Sequence, residues 1–152
     1  MITKIHGLAG LKGQIGAPLG PSKLIEVDQV MINAFADATG DRQWIHTDVE
    51  RAQRENGHTI AHGLLVLSLI VTMANDVFLV DEPVAINYGF DKVRFIAPVP
   101  AGTQLAGNFT LQGVEPRPNG TRALWDVQLT SDDDRVVCAA LWWTYYPSLT
   151  QE

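Results

Sequence analysis

The spacing of apolar positions changes once along this chain, from helical in the first half to strand-like after Pro83. From Asp28 onward, Val30, Met31, Ala34, Phe35 and Ala38 fall at helical spacing. Asp28 is placed to cap the first turn, and Gly40 to end the helix in the left-handed conformation. Asp41 to His46 then reads as a loop held between two helices. Thr47 with Glu50 three residues on resembles a capping box, which predicts a short helix over Asp48 to Arg54. Leu64 to Phe78 is apolar on nearly every side and predicts one long buried helix. Its polar residues Ser68, Thr72, Asn75 and Asp76 share one stripe. Before all of these, the first 21 residues are rich in Gly and Pro, and a loosely structured lead-in with at most a short helix is expected. Ser22 to Val27 reads as a short strand.

Beyond Pro83 the period becomes two. Ala85 to Ile96 predicts a strand with Lys92 and Arg94 on one face and Val93 and Phe95 on the other. Leu105, Phe109 and Leu111 alternate with polar residues, as do Ala123, Trp125, Val127 and Leu129. Asn119-Gly120 marks the turn between those two strands, and Ser131 to Asp134 marks the next. Val136 to Tyr146 is apolar on both faces, so it reads as a central strand or one buried at a subunit contact. Helices followed by antiparallel strands give an α+β chain with one long helix against a curled sheet. Such a sheet leaves an edge strand, and pairing with a second copy covers it. A homodimer is the expectation.

Composition narrows the reading. A chain of 152 residues, 46% hydrophobic and 18% charged, suits a single domain over 1–152 with one core. The longest apolar run, Leu64 to Ala74, is broken by Ser68 and Thr72 and is too short to span a bilayer. The start of the chain is interrupted by His6 and Lys12 and does not read as a signal peptide, so a cytoplasmic protein with no membrane partner is expected. Cys138, the single cysteine, excludes an internal disulfide and reads as a small buried core residue. A net charge of −6 argues against nucleic acid as a partner, because the basic footprint is missing. His6 and His58 read as surface residues with no ligand spacing to a Cys or an acid, and neither a metal nor an organic cofactor is expected.

The chemistry concentrates between Ala38 and Leu64. Asp41 lies five residues before His46, and T-I-A-H-G-L-L follows. A carboxylate and an imidazole on a short loop can hold a water between them and move protons near neutral pH. Gly63, where the buried helix begins, can offer its backbone N–H to a developing oxyanion. Those parts suffice for adding water to, or removing it from, an activated carbonyl compound. An isolated acid and His at this spacing recurs by chance, so the A-H-G and the helix behind it supply the needed context. His62 reads as a structural residue bonded to backbone groups near the loop, and Asp76 as a helix-end polar residue.

At these residues the chain resembles a known family. D-R-Q-W-I-H and I-A-H-G-L-L look like the D-x-N-P-x-H loop and I-A/V-H-G-M/L segment of the MaoC-like (R)-specific enoyl-CoA hydratases, which have the hotdog fold. A-I-N-Y-G-F-D-K-V-R-F-I-A-P-V-P-A-G resembles the stretch after their central helix. The resemblance covers Glu26 to Gly102, continues beyond only as pattern, and looks closest to the small single-hotdog hydratases of actinobacteria. It implies a hotdog fold and reversible syn addition of water to trans-2-enoyl-CoA, giving the (R)-3-hydroxyacyl product. Asp41 and His46 would share the water, and Gly63 would meet the thioester oxygen.

Two positions depart from the pattern. Gln43-Trp44 replaces the usual Asn-Pro, and a hydroxyl found in some members about two turns into the helix is Val71 here, or is supplied by Ser68 one turn earlier. Ser68 is then either a back-bonded helix serine or a partner of the acid–base pair. Asn87 and Tyr88 line the acyl tunnel or are ordinary strand residues. Lys92 and Arg94 form a solvated strand face, or one of them, taken as Arg94, meets the phosphates of coenzyme A. The same residues would also serve dehydration on an acyl-carrier protein. Thioesterase activity fits them less well, and a non-catalytic acyl-binding or partner subunit would be expected to lack one member of the pair.

Overall fold

The computed structural model describes residues 2–148. In chain order the elements are β1 (Thr3–Ile5), α1 (Gly7–Gln14), β2 (Pro18–Leu19), β3 (Ile25–Val27), α2 (Gln29–Thr39), α3 (Trp44–Thr47) and α4 (Val49–Asn56). They continue with α5 (Gly63–Ser68), α6 (Ile70–Val77), β4 (Phe78–Val80), β5 (Ile86–Phe95), β6 (Thr103–Arg117), β7 (Gly120–Ser131) and β8 (Val136–Pro147). The main sheet runs β2-β6-β7-β8-β5, antiparallel, with β3 also on β6. β1 and β4 form a separate parallel pair.

Strand alternation decides which face of the sheet is buried. Leu105, Phe109, Leu111, Ala123, Trp125, Val127 and Leu129 are all buried. With Leu65, Val66, Ile70, Met73, Ala74 and Val77 of α5 and α6 they form one core cluster. Phe78 stacks on Trp125 at 4.2 Å between ring centroids and meets Phe109 edge-on at 5.6 Å. The indole N–H of Trp125 donates to Thr144 Oγ1 at 3.1 Å, so the largest core side chain buries no unpaired polar atom. Strand β8 lies between β7 and β5, a central position in the sheet. Cys138 is buried on it, and desolvation pushes the thiol up to about 11.

Helix α2 has the expected ends. Asp28 Oδ1 accepts the Met31 N–H at 2.8 Å, and Gly40 adopts φ 81° with its N–H on the Ala36 carbonyl. Elsewhere the structure corrects the sequence expectations. The single helix over Leu64 to Phe78 is two segments, α5 and α6, broken at Leu69, and Phe78 opens β4. The cause is Ser68: its Oγ donates to the Leu65 carbonyl at 2.7 Å, while the Leu69 N–H turns back to Val66. Asp48 caps α4 by accepting the Arg51 N–H, whereas the Thr47 hydroxyl donates backwards to Gln43. The expected loop from Asp41 to His46 contains the helical turn α3.

Further corrections concern the strands. The alternation of Lys92, Val93, Arg94 and Phe95 is broken by a bulge between Asp91 and Arg94, where Lys92 has φ 53°. Arg117 pairs with Gly120, which places the turn on Pro118 and Asn119, one residue earlier than expected. The lead-in carries β1, α1 and β2 and is more ordered than its composition suggests. Among the described residues, no helix is long and apolar enough to cross a membrane.

Candidate active site

Two short segments are stitched together by hydrogen bonds to build the site. Gly40 reverses the chain at the end of α2 and delivers Asp41, an exposed carboxylate, to the rim of a cleft. The turn α3 then carries His46 inward until only 6% of it is exposed. Opposite runs the segment from Thr59 to Gly63. Its Ile60 N–H donates to the Ile45 carbonyl, and the Ile60 carbonyl accepts from His46 Nδ1 at 2.6 Å. His62 Nε2 meets the Asp41 carbonyl at 2.9 Å, and its ring stacks on that of His46 at 3.9 Å between centroids. The far side of the segment is held by Val99, whose carbonyl accepts the Ala61 N–H.

A carbonyl only accepts, so His46 Nδ1 must carry a proton in that bond. The neutral ring then presents Nε2 as a lone pair, the form a general base needs. One ligand-type atom each of Asp41, His46 and His62 lies within 4.8 Å of the other two, close enough for one water to bridge the carboxylate and the His46 imidazole. The same three residues make a poor metal centre. Their imidazoles stack at 27° between planes, so the in-plane lone pairs do not converge on one point as tetrahedral coordination requires.

Gly63 opens α5, and its N–H is one of the donors that a first helical turn leaves without a partner in the helix. A Cβ here would sit 2.9 Å from the Phe95 ring, so glycine is what lets that ring lie across the helix start. Phe95 stands between two clefts. One of about 200 Å³ is lined by Phe35, Asp41, His46, His62, Gly63 and Leu64 among others. The other, of about 240 Å³, is an apolar bowl reaching from His46 and Gly63 to Ile96, Val99 and Val137.

The structure thus brings Asp41, His46 and Gly63 together and sets the other sequence candidates apart. Ser68, back-bonded to Leu65, lines a third cleft with Leu64, Val71, Asn87 and Phe90. Asn87 Oδ1 accepts from Trp142 Nε1 at 3.2 Å. Tyr88 is 58% exposed and packs beside Tyr145 and Arg122. Arg94 is exposed on β5, its guanidinium donating to the Val93 carbonyl.

Sequence reasoning missed Phe95 as a wall of the site, and missed the pair Gln29 and Thr59. Gln29 Nε2 donates to the His46 carbonyl at 2.8 Å, and its Oε1 accepts from Thr59 Oγ1 at 2.5 Å. No sequence signal marks that pair, because an amide at a helix start and a threonine thirty residues on are common in any chain.

The family model described as MaoC like domain matches residues 11–130. The 3-hydroxyacyl-thioester dehydratase Z of Mycobacterium tuberculosis is 45% identical over 118 residues, which is 76% of this chain and 78% of that protein. Nodulation protein N of Rhizobium meliloti is 46% identical over 108 residues, 68% of this chain and 67% of its own. Among solved structures, the unliganded R-hydratase PhaJ1 from Pseudomonas aeruginosa superposes with a TM-score of 0.72 at 22% identity, covering 89% of this chain and 83% of that one. That likeness establishes the hotdog fold.

Proposed function

The chain belongs to the MaoC-like dehydratase family and is a hydro-lyase of 3-hydroxyacyl thioesters, and from that premise we propose that it is an (R)-specific 2-enoyl-CoA hydratase. The observation that carries the reading is the bond from His46 Nδ1 to the Ile60 carbonyl, which leaves Nε2 as the lone-pair nitrogen of an imidazole lining the same cleft as Asp41. A water held between the two donates one hydrogen to each and aims its lone pair at C3 of the enoyl group. As the C3–O bond forms, the pair takes one proton from the water and returns it to C2 on the same face. The C2–C3 double bond becomes single, and the product is the (R)-3-hydroxyacyl thioester. The developing negative charge on the thioester oxygen is met by the Gly63 N–H, beside the Phe95 ring. Elimination of water retraces these steps.

The acyl group has an apolar path. The cleft beside Asp41 shares Leu64 with the cleft along α5 and α6, and that cleft shares Val71 and Asn87 with a further one ending at Trp142 and Tyr146. This chain of clefts supports Ser68 and Asn87 as lining of the acyl track rather than as parts of the acid–base pair. Exposed Arg94, one residue from Phe95, is the cation assigned to the phosphates of coenzyme A. The protein acts as a homodimer paired through β5.

The test is a comparison of initial hydration rates on one enoyl group carried by coenzyme A and by an acyl-carrier protein. The coenzyme A thioester is expected to be turned over with the higher kcat/KM. A preference for the carrier-protein thioester would make the chain a 3-hydroxyacyl-carrier-protein dehydratase instead.

A further inference from the structure

We propose that His62 is a positioning residue for the reaction above, and that its Nε2–H is the clamp which fixes Asp41 relative to His46. The proposal rests on the hydratase reading. His62 touches both members of the acid–base pair: Nε2 lies 2.9 Å from the Asp41 carbonyl, and the ring lies face to face with His46 at 3.9 Å. Its next residue is Gly63, so one short stretch of backbone sets the oxyanion donor and the clamp together.

The protonation form follows from the contacts. The Asp41 carbonyl requires a proton on Nε2, which leaves Nδ1 of the neutral ring as a bare lone pair. That Nδ1 is buried without a partner, in a residue only 3% exposed. The opposite tautomer would bury an unpaired N–H and set a lone pair against the carbonyl, which is worse at both ends. An aliphatic side chain would fill the same volume with no orphaned atom. A buried polar atom left unpaired is a cost that calls for a compensating role. Here the return is the bond to Asp41, whose backbone has among the described residues one other tie, a long contact of its N–H to Thr39 Oγ1, 3.4 Å. His46 needs the clamp less, because Ile60 and Gln29 hold it from two other sides. The Nε2–H therefore acts through Asp41, while the ring only packs on the His46 imidazole.

Two substitutions separate the donor from the ring. His62→Gln carries an amide nitrogen to about the position of Nε2 and removes the ring. His62→Phe keeps a ring beside His46 and removes the donor. With folding checked by thermal melting, kcat for crotonyl-CoA is expected to fall at least tenfold in His62→Phe and no more than threefold in His62→Gln. KM should stay within threefold in both. The proposal is overturned if folded His62→Phe keeps at least half of the wild-type kcat, if His62→Gln is as slow as His62→Phe, or if the loss appears in KM alone.

A second readout does not depend on turnover. The imidazole nitrogen spectrum of the wild type at about pH 8 is expected to show His62 as the neutral Nε2–H tautomer. Finding the Nδ1–H form would overturn the clamp. A wild type that hydrates no thioester would sink the proposed reaction and leave this spectrum to decide the clamp on its own.

Discussion

At the scale of single residues, backbone carbonyls choose which nitrogen of each site imidazole carries a proton. Ile60 places a proton on Nδ1 of His46, and Asp41 places one on Nε2 of His62, so two stacked rings carry opposite tautomers. Cys138 offers a residue-scale prediction that bears on the core alone. Burial raises its thiol from 9.0 to about 11, so the folded chain keeps a proton that the unfolded chain loses. Its contribution to stability is complete below about 9 and drains away as pH rises toward about 11, by at most ~1.4 kcal/mol per pH unit. Urea unfolding across that window should show a shallower fall for Cys138→Ala than for wild type, while equal slopes would place the thiol in contact with water. Tyr146, also raised by burial, shifts both proteins alike and cancels in the difference. The meeting of Asp41, His46 and Gly63 along one cleft was legible in the sequence from their short spacing and the helix that begins at Gly63. The stack of His62 on His46, the Phe95 wall and the Gln29–Thr59 bond were not, because they join residues 16 to 32 positions apart through side chains that no spacing rule singles out.

At the scale of elements, α5 and α6 wall the proposed acyl track. Leu64 is 64% exposed at its start, while Leu65, Val66 and Ile70 are buried on the sheet, so one side of the broken helix faces the clefts and the other the core. Val71 lies where two of those clefts join. Val71→Trp should block the track beyond that point. The kcat/KM for octenoyl-CoA is expected to fall at least tenfold, about 1.4 kcal/mol, with that for crotonyl-CoA within about threefold. Equal losses for both chain lengths would move the acyl group to the apolar bowl beside Val99 and Val137 instead. Strand alternation in β6 and β7 was legible because every second residue meets the core. The helix break was not legible, since hydrophobic periodicity registers neither the Ser68 back-bond nor the turn it forces at Leu69. The bulge in β5 escaped for a similar reason: Lys92 at φ 53° is a backbone state that its side chain does not advertise.

At the scale of the whole molecule, β5 is the unfinished edge. Among the described residues it pairs β8 on one side only, and Ile86, Tyr88, Phe90, Phe95 and Ile96 on or beside it are exposed. An apolar edge strand in water invites a partner strand, and a second copy of the same edge meets that need by two-fold symmetry. Light scattering on the purified protein should give twice the mass of one chain, and Phe90→Lys should shift it toward one. A wild type that sediments as a single chain would leave the edge covered by something else. The curled sheet on a central helix was legible from the order of elements, because helices followed by alternating strands leave few ways to build one core.

The account stands or falls on the pairing of Asp41 with His46. The direct measurement is the loss of enoyl-thioester absorbance when wild type and Asp41→Asn meet crotonyl-CoA under identical conditions, with circular dichroism showing that both are folded. Wild type should consume the substrate, and the variant should be slower by about 10²–10⁴, the usual loss for an acid–base group. Equal rates for the two proteins would contradict the mechanism.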